Sequence, residues 1–186
     1  MNIVYLMHFR GIPSLSASAS DLRYTALSEL IYDDELRNKY MIFSTAGESE
    51  CYATIAMKRI AKEKGVKWYE FDYDEKTDSA GWKHFKDGLD MAGLNEKAVK
   101  NIIMCGTNLS GCIIKGKETS AINLIKRGFN VVLYLPGCAE EEAPGTVSIQ
   151  KMFHGIEGMY DIIKSQFLID KLDMAASHNR LRAKFF

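Results

Sequence analysis

Residues 105–113 read CGTNLSGCI, and they hold the side chains best placed for chemistry. Six residues separate Cys105 from Cys112, among them Gly106, Gly111 and the small polar Thr107, Asn108 and Ser110. The apolar run VKNIIMC leads in, and CIIKGKETSAINLIKRG follows with helical character. Cys112 therefore falls where the chain passes from strand to helix, near free backbone N–H groups and a positive helix end. Both lower a thiol pKa and favour the thiolate. The same N–H groups can hold the oxyanion formed when a thiolate attacks an amide or ester carbon. Two other readings stand beside this one. Free cysteine often packs as a small apolar residue, here at a helix start. The loop also invites comparison with phosphate-binding turns, but it is not GxGxxG and lacks the Gly-Lys-Ser/Thr ending of a P-loop. Lys115 and Lys117, in KGKETS, follow it in the sequence.

The elements that must position this loop alternate along the whole chain. NIVYLMHF is a short apolar strand closed by the turn RGIPS. SLSASAS reads as a loop, with Ser20 or Asp21 capping a helix over DLRYTALSELIYDDELRN, where Leu22, Leu27, Leu30 and Ile31 keep helical spacing. YMIFS is a second strand. ESECYATIAMKRIAKEKG predicts a helix, acidic at its start, basic at its end and stopped by Gly65. VKWYEFDY is a third strand, SAGWKHFKDGLDMAGL a helix interrupted by Gly88, and VKNIIMC a fourth strand. A helix stopped by Gly128 leads to NVVLYL, a fifth strand ended by Pro136 and Gly137, and IEGMYDIIKSQFLIDKLDMA predicts a closing amphipathic helix.

Strands alternating with helices predict βαβ crossovers and a mostly parallel sheet. The expected fold is a three-layer α/β sandwich, with five or six strands and helices on both faces. One domain spans residues 1–186, and a C-terminal helix and tail from about residue 155 are available for oligomerisation. Ligands of such sheets bind beyond the carboxyl ends of the strands. The loops after His8, Ser44, Asp72, Cys105 and Leu135 form that edge. Phe9, Phe43, Trp68, Tyr69, Tyr73 and Trp82 lie near strand ends, as lining for an apolar pocket or as core.

Composition narrows the partners. Twenty-four basic and 24 acidic residues cancel, so neither a nucleic-acid surface nor a strongly acidic partner is implied. No apolar stretch reaches the roughly 20 residues a bilayer span needs, so no membrane is expected. The start MNIVYLMHF lacks the basic opening of a secretion signal, which points to the cytoplasm. Cys51, Cys105, Cys112 and Cys138 are scattered, without a CxxC pair, and read as reduced thiols rather than a zinc site.

The segment VKNIIMCGTNLSGCI, with SAINLIKRGFNVVLYLPGCAEE after it, resembles the isochorismatase-like cysteine hydrolases. In that family an apolar strand ends in Gly, five residues follow, and the nucleophilic Cys comes next. Gly106 stands six positions before Cys112, Gly128-Phe129 fills the later Gly-aromatic pair, and PGCAEE takes the place of the following loop. The resemblance covers residues 99–142. It implies Cys112 as nucleophile, with backbone N–H groups of Asn108 and Cys112 as oxyanion donors and a cis peptide after Thr107 aiming the Asn108 amide. Gly106 and Thr107 complete that loop. The family triad adds a Lys ahead of a Ser-Ala-Phe-like segment. EKTDSAGWKHF offers Lys76, 36 residues before Cys112.

The third member, an Asp at the end of the first strand, has no counterpart. That position holds Leu6, followed by Met7 and His8, or Ser44 and Thr45 if YMIFS is taken as the first strand. His8 can substitute, since imidazole beside a thiol is a workable nucleophile pair. Glu48 and Glu50 are further candidates. His8, His84, His154 and His178 are isolated, so the metal-dependent pattern of the nicotinamidases is absent and neither metal nor cofactor is expected. The resemblance implies cleavage of a C–N bond in a small molecule, and a homo-oligomer. Two other functions remain: a binding or assembly protein that keeps the fold without the triad, and a flavodoxin-like nucleotide or flavin carrier.

Overall fold

The computed structural model describes residues 1–7, 9, 17–46, 52–72, 81–107, 112–114, 117–139 and 172–186. Six strands form one sheet: β1 (Asn2–Met7), β2 (Tyr40–Ala46), β3 (Trp68–Asp72), β4 (Asn101–Thr107), β5 (Val131–Ala139) and β6 (Leu172–Ala175). Their order is β3-β2-β1-β4-β5-β6, and every neighbouring pair is parallel. The helices are α1 (Ala17–Tyr32), α2 (Tyr52–Glu63), α3 (Trp82–Met91), α4 (Ala121–Lys126) and α5 (His178–Arg182). This is the expected three-layer α/β sandwich.

Successive residues of a strand point to opposite faces, so a sheet covered on both sides needs apolar residues at every position. Ile3, Tyr5 and Met7 share one core with Phe85 and Leu89 of α3 and Ile122 and Leu124 of α4. Val4 and Leu6 share the other with Leu27, Leu30 and Ile31 of α1 and Ala61 of α2. The face changes where the chain changes direction. α1 and α2 accompany the outward moves from β1 to β2 and β3. The chain then returns past β1 to β4, and α3 and α4 lie on the opposite face. A crossover of constant hand requires that exchange. The reversal puts the topological switch between β1 and β4, where ligand crevices of such sheets open.

Several local expectations change under tertiary contacts. α1 begins at Ala17, so Ser20 and Asp21 lie inside the helix rather than at its cap. Gly88 does not interrupt α3: a Cβ there would stand 2.1 Å from Phe71 Cε1, so the glycine lets the helix lie against β3. The helix expected from residue 112 is not continuous: an α-helix starts only at Ala121, because Ser120 is extended and its N–H closes a turn on the Lys117 carbonyl. Thr119 in that turn is buried and hydrogen-bonded to Tyr5 Oη at 2.9 Å, which holds the chain away from a helical path. β5 runs through Pro136 and Gly137. Leu133 faces Met104 but Cys138 faces Gly106, so residues 134–137 bulge opposite Cys105, where a proline forfeits no ladder bond.

The C-terminal expectation changes most. Leu172–Ala175, placed by sequence in a closing helix, is the edge strand β6, paired with Val131–Tyr134. Its residues favour helix intrinsically, but the open edge of β5 offers a full ladder, and packing overrides propensity. Residues 156–171 of that expected helix, with Ile162, Ile163 and Phe167, lie outside the described residues. The tail returns to its own core. Phe185 is buried with its ring 5.6 Å from that of Tyr40, Asn101 donates to the Lys184 carbonyl at 3.1 Å, and Lys100 donates to that of Phe186 at 3.2 Å.

Candidate active site

The carboxyl ends of β1 and β4 meet at the switch. Met7 is paired with Gly106, and a Cβ on Gly106 would stand 1.8 Å from the Met7 carbonyl oxygen. The φ of Gly106 is 143°, a conformation L side chains rarely adopt. The glycine that carries the sequence signature is thus required twice over, by backbone conformation and by the closeness of the neighbouring strand.

Cys112 follows five residues after the end of β4, in a π-helical turn over residues 112–114. Such turns are uncommon and recur at functional sites. Its side chain is half-buried and packs on the α3–α4 core, while the adjacent Ile113 and Ile114 are fully within it. Trp82 opens α3 on the same face. Its ring stacks on Phe85 at 5.7 Å and lies under the Arg127 guanidinium at 4.1 Å, and its backbone N–H donates to Glu118 at 2.8 Å. Trp82 and the Cys112 turn therefore pack on the same core. Lys76, His8 and Asn108, together with the Thr107–Asn108 peptide, Glu48 and Glu50, lie outside the described residues.

Cys105 and Cys138 have a different environment, and Cys51 lies outside the described residues. Cys105 and Cys138 are buried in β4 and β5, and with Cys112 they are free thiols. Burial pushes the Cys105 thiol well above its ordinary pKa, and the neighbouring Cys138 adds to the effect. Cys138 donates its S–H to the Met104 carbonyl at 3.5 Å. These are thiols of the core.

Both positions considered for the missing Asp are filled by groups committed elsewhere. Leu6 and Met7 are fully buried. Ser44 accepts the Trp68 indole N–H at 2.9 Å and donates toward Glu70 at 3.5 Å, and Glu70 pairs with Lys58. Of the aromatic residues near strand ends, Phe43 and Phe9 are core, Tyr69 packs edge-on against Phe43, and Trp68 is fixed by Ser44. Tyr73 lies outside the described residues.

One residue at the switch was not singled out in the sequence. Arg23 of α1 is 1% exposed, the one charged side chain in the described core. Its guanidinium donates to Thr107 Oγ1 at 2.5 Å and lies 5.3 Å from the centre of the Phe9 ring. Phe9 packs edge-on against Tyr24, whose hydroxyl meets Thr54 Oγ1, and Thr54 donates to the Phe9 carbonyl at 3.3 Å. The signal was available: Arg23 stands four residues before Leu27 and seven before Leu30, a charge on the apolar stripe of its helix.

Among the described residues, no three His, Cys, Asp or Glu side chains converge as metal ligands, and no helix is long and apolar enough to cross a membrane. The described surface carries a groove of about 740 Å³ between α1, the β5 bulge and the start of α5. It is lined by Glu29, Asp33, Pro136 and His178, and Cys112 is not part of it.

No family model matches the sequence, and no curated protein matches it. Among solved structures, the MAR1 ribonuclease of Caenorhabditis elegans superposes with a TM-score of 0.52 at 15% identity, over 86% of this chain and 72% of that one. The likeness is one of fold.

Proposed function

We propose that the protein is an isochorismatase-like cysteine hydrolase that cleaves an amide-type C–N bond in a small molecule. The observation that carries this reading is the position of Cys112. It is a half-buried thiol in a π turn, five residues beyond a strand end that is pressed against its neighbour through Gly106 at the topological switch. In this reading Cys112 attacks the carbonyl carbon, and the N–H groups of Asn108 and Cys112 receive the oxyanion. Lys76 favours the thiolate, and His8 takes the thiol proton and returns it to the leaving amine. Water then hydrolyses the thioester. Catalysis needs no metal or cofactor. Homodimerisation belongs to the same reading, with the exposed Phe186 as an apolar terminus. Light scattering at micromolar concentration should give a particle of twice the 21.0 kDa chain.

The test is the thiol itself. Iodoacetamide should label Cys112 well below pH 8 in the folded protein, and ammonia release from a panel of small amides should vanish in Cys112→Ser. A Cys112 that alkylates only near the ordinary thiol pKa of about 8.5 would sink the hydrolase. A second reading, a binding protein that keeps the fold without turnover, is favoured by buried Leu6 and Met7 where the family carries its Asp. It requires a ligand that protects Cys112 from alkylation without being consumed.

A further inference from the structure

We infer that Arg23 is a positioning residue for the nucleophile loop, and that it acts by fixing Thr107 at the carboxyl end of β4. The inference rests on the reading of Cys112 as nucleophile, but its geometry is independent of it. A guanidinium stays charged at any physiological pH, and a charge removed from water must be compensated by the groups around it. Arg23 is 1% exposed, and it reaches from α1 to β4 and to the residue two positions past the end of β1. It donates to Thr107 Oγ1 at 2.5 Å and lies over the ring of Phe9, just beyond the end of β1. It makes further interactions as well. Both contacts lie just past the Met7–Gly106 approach, on its carboxyl side.

The chain must leave β4 at Thr107 in a defined direction if Cys112 and the intervening N–H groups are to converge on one carbonyl. Gly106, with no Cβ, imposes little restraint on that direction by itself. Thr107 is 1% exposed, and its hydroxyl is held by the fixed fork of a guanidinium. A fold needing only stability would fill the same space with a leucine or methionine. Replacing buried ionic groups by apolar ones is often neutral or stabilising. The arrangement is what a loop needing one geometry requires.

The test compares Arg23→Met, Arg23→Lys, Thr107→Val and the double variant Arg23→Met with Thr107→Val. The pH dependence of Cys112 alkylation by iodoacetamide is read by mass spectrometry, with Cys112→Ser as blank. Melting temperature and hydrogen exchange of peptides covering residues 102–107 and 112–114 are measured in parallel. Arg23→Met should raise the midpoint of alkylation by about one pH unit, as oriented N–H groups are lost from the thiolate. Thr107→Val should do the same, the double variant should add little, and Arg23→Lys should recover part of the shift. Exchange should rise in those peptides more than elsewhere. A lower melting temperature with an unchanged midpoint and uniform exchange would make Arg23 a packing residue and overturn the inference. Should wild-type Cys112 behave as an ordinary thiol, the hydrolase reading fails by itself. Arg23 is then judged on exchange alone, where a rise confined to these peptides supports the inference and its absence overturns it.

Discussion

Cys105 and Cys112 are separated by six residues in sequence and by a change of environment in the fold. Cys105 lies inside β4, opposite the bulge of β5, where burial raises its thiol and no solvent reaches it. Cys112 lies past the strand exit, half-buried, in a π turn against the α3–α4 core. Between them the chain passes Gly106 and Thr107, one pressed on Met7 and the other held by Arg23. A sheet interior suppresses the chemistry of a thiol by desolvation. At the strand exit Cys112 is only half-buried, so that desolvation is weaker. The same residue type therefore serves as core or as candidate nucleophile according to where the ladder ends.

The two thiols should differ most in the reactivity of the sulfur. With Cys51 replaced by alanine, Cys112→Ser should remove the iodoacetamide labelling of the folded protein below pH 8, together with any amide hydrolysis. The swap places a hydroxyl where a half-buried thiol packed, so a stability loss of about 1 kcal/mol is expected. Cys105 and Cys138 should label only in denaturant. Early labelling of either would erase the distinction between interior and exit.

Gly106→Ala attacks the exit itself. The new methyl would meet the Met7 carbonyl at 1.8 Å, in a conformation alanine resists, so the β1–β4 pairing must open. A loss of about 3 kcal/mol or more is expected in urea unfolding. Gly88→Ala is the matched control within the α3–α4 face. Its methyl would meet the Phe71 ring at 2.1 Å, and overpacking there should cost about 1–3 kcal/mol. Cys112 labelling in native buffer should be unchanged. If both variants alter labelling equally, the exit has no special role.

The smallest expected effect concerns pH. Burial works to raise the Asp33 pKa, but the His178 hydrogen bond, Arg182 and the Glu35 N–H outweigh it and hold the carboxyl below its usual value. A carboxyl depressed in the fold contributes stability above its unfolded pKa of about 3.9, and that contribution is lost as pH falls through the lower folded value. Circular dichroism should therefore show Asp33→Asn to be slightly less stable than wild type at pH 6 and the difference to close by about pH 2. Alkylation titrations above pH 5 then report the folded thiol.

The sequence by itself determined the alternation of strands and helices, and with it the parallel three-layer sheet. Continuous apolar strands and amphipathic helices of this length have few other ways to bury their surfaces. Gly106 was also legible, as part of a motif, before its contact with Met7 gave the reason. The stops at Gly65 and Gly128 were local too, and both glycines have positive φ.

Tertiary structure decided what depends on partners distant in sequence. Leu172–Ala175 becomes a strand because β5 presents an unpaired edge, which no window of residues around 172 contains. Gly88 is needed because Phe71 lies beneath α3. Arg23 and Thr107 are 84 residues apart, and a charge on an apolar stripe gains meaning only when its acceptor is in place. Periodicity reports which face of an element is buried. It does not report what waits on the other side, and at the β1–β4 switch that is the Met7 carbonyl against Gly106 and the Arg23 guanidinium on Thr107.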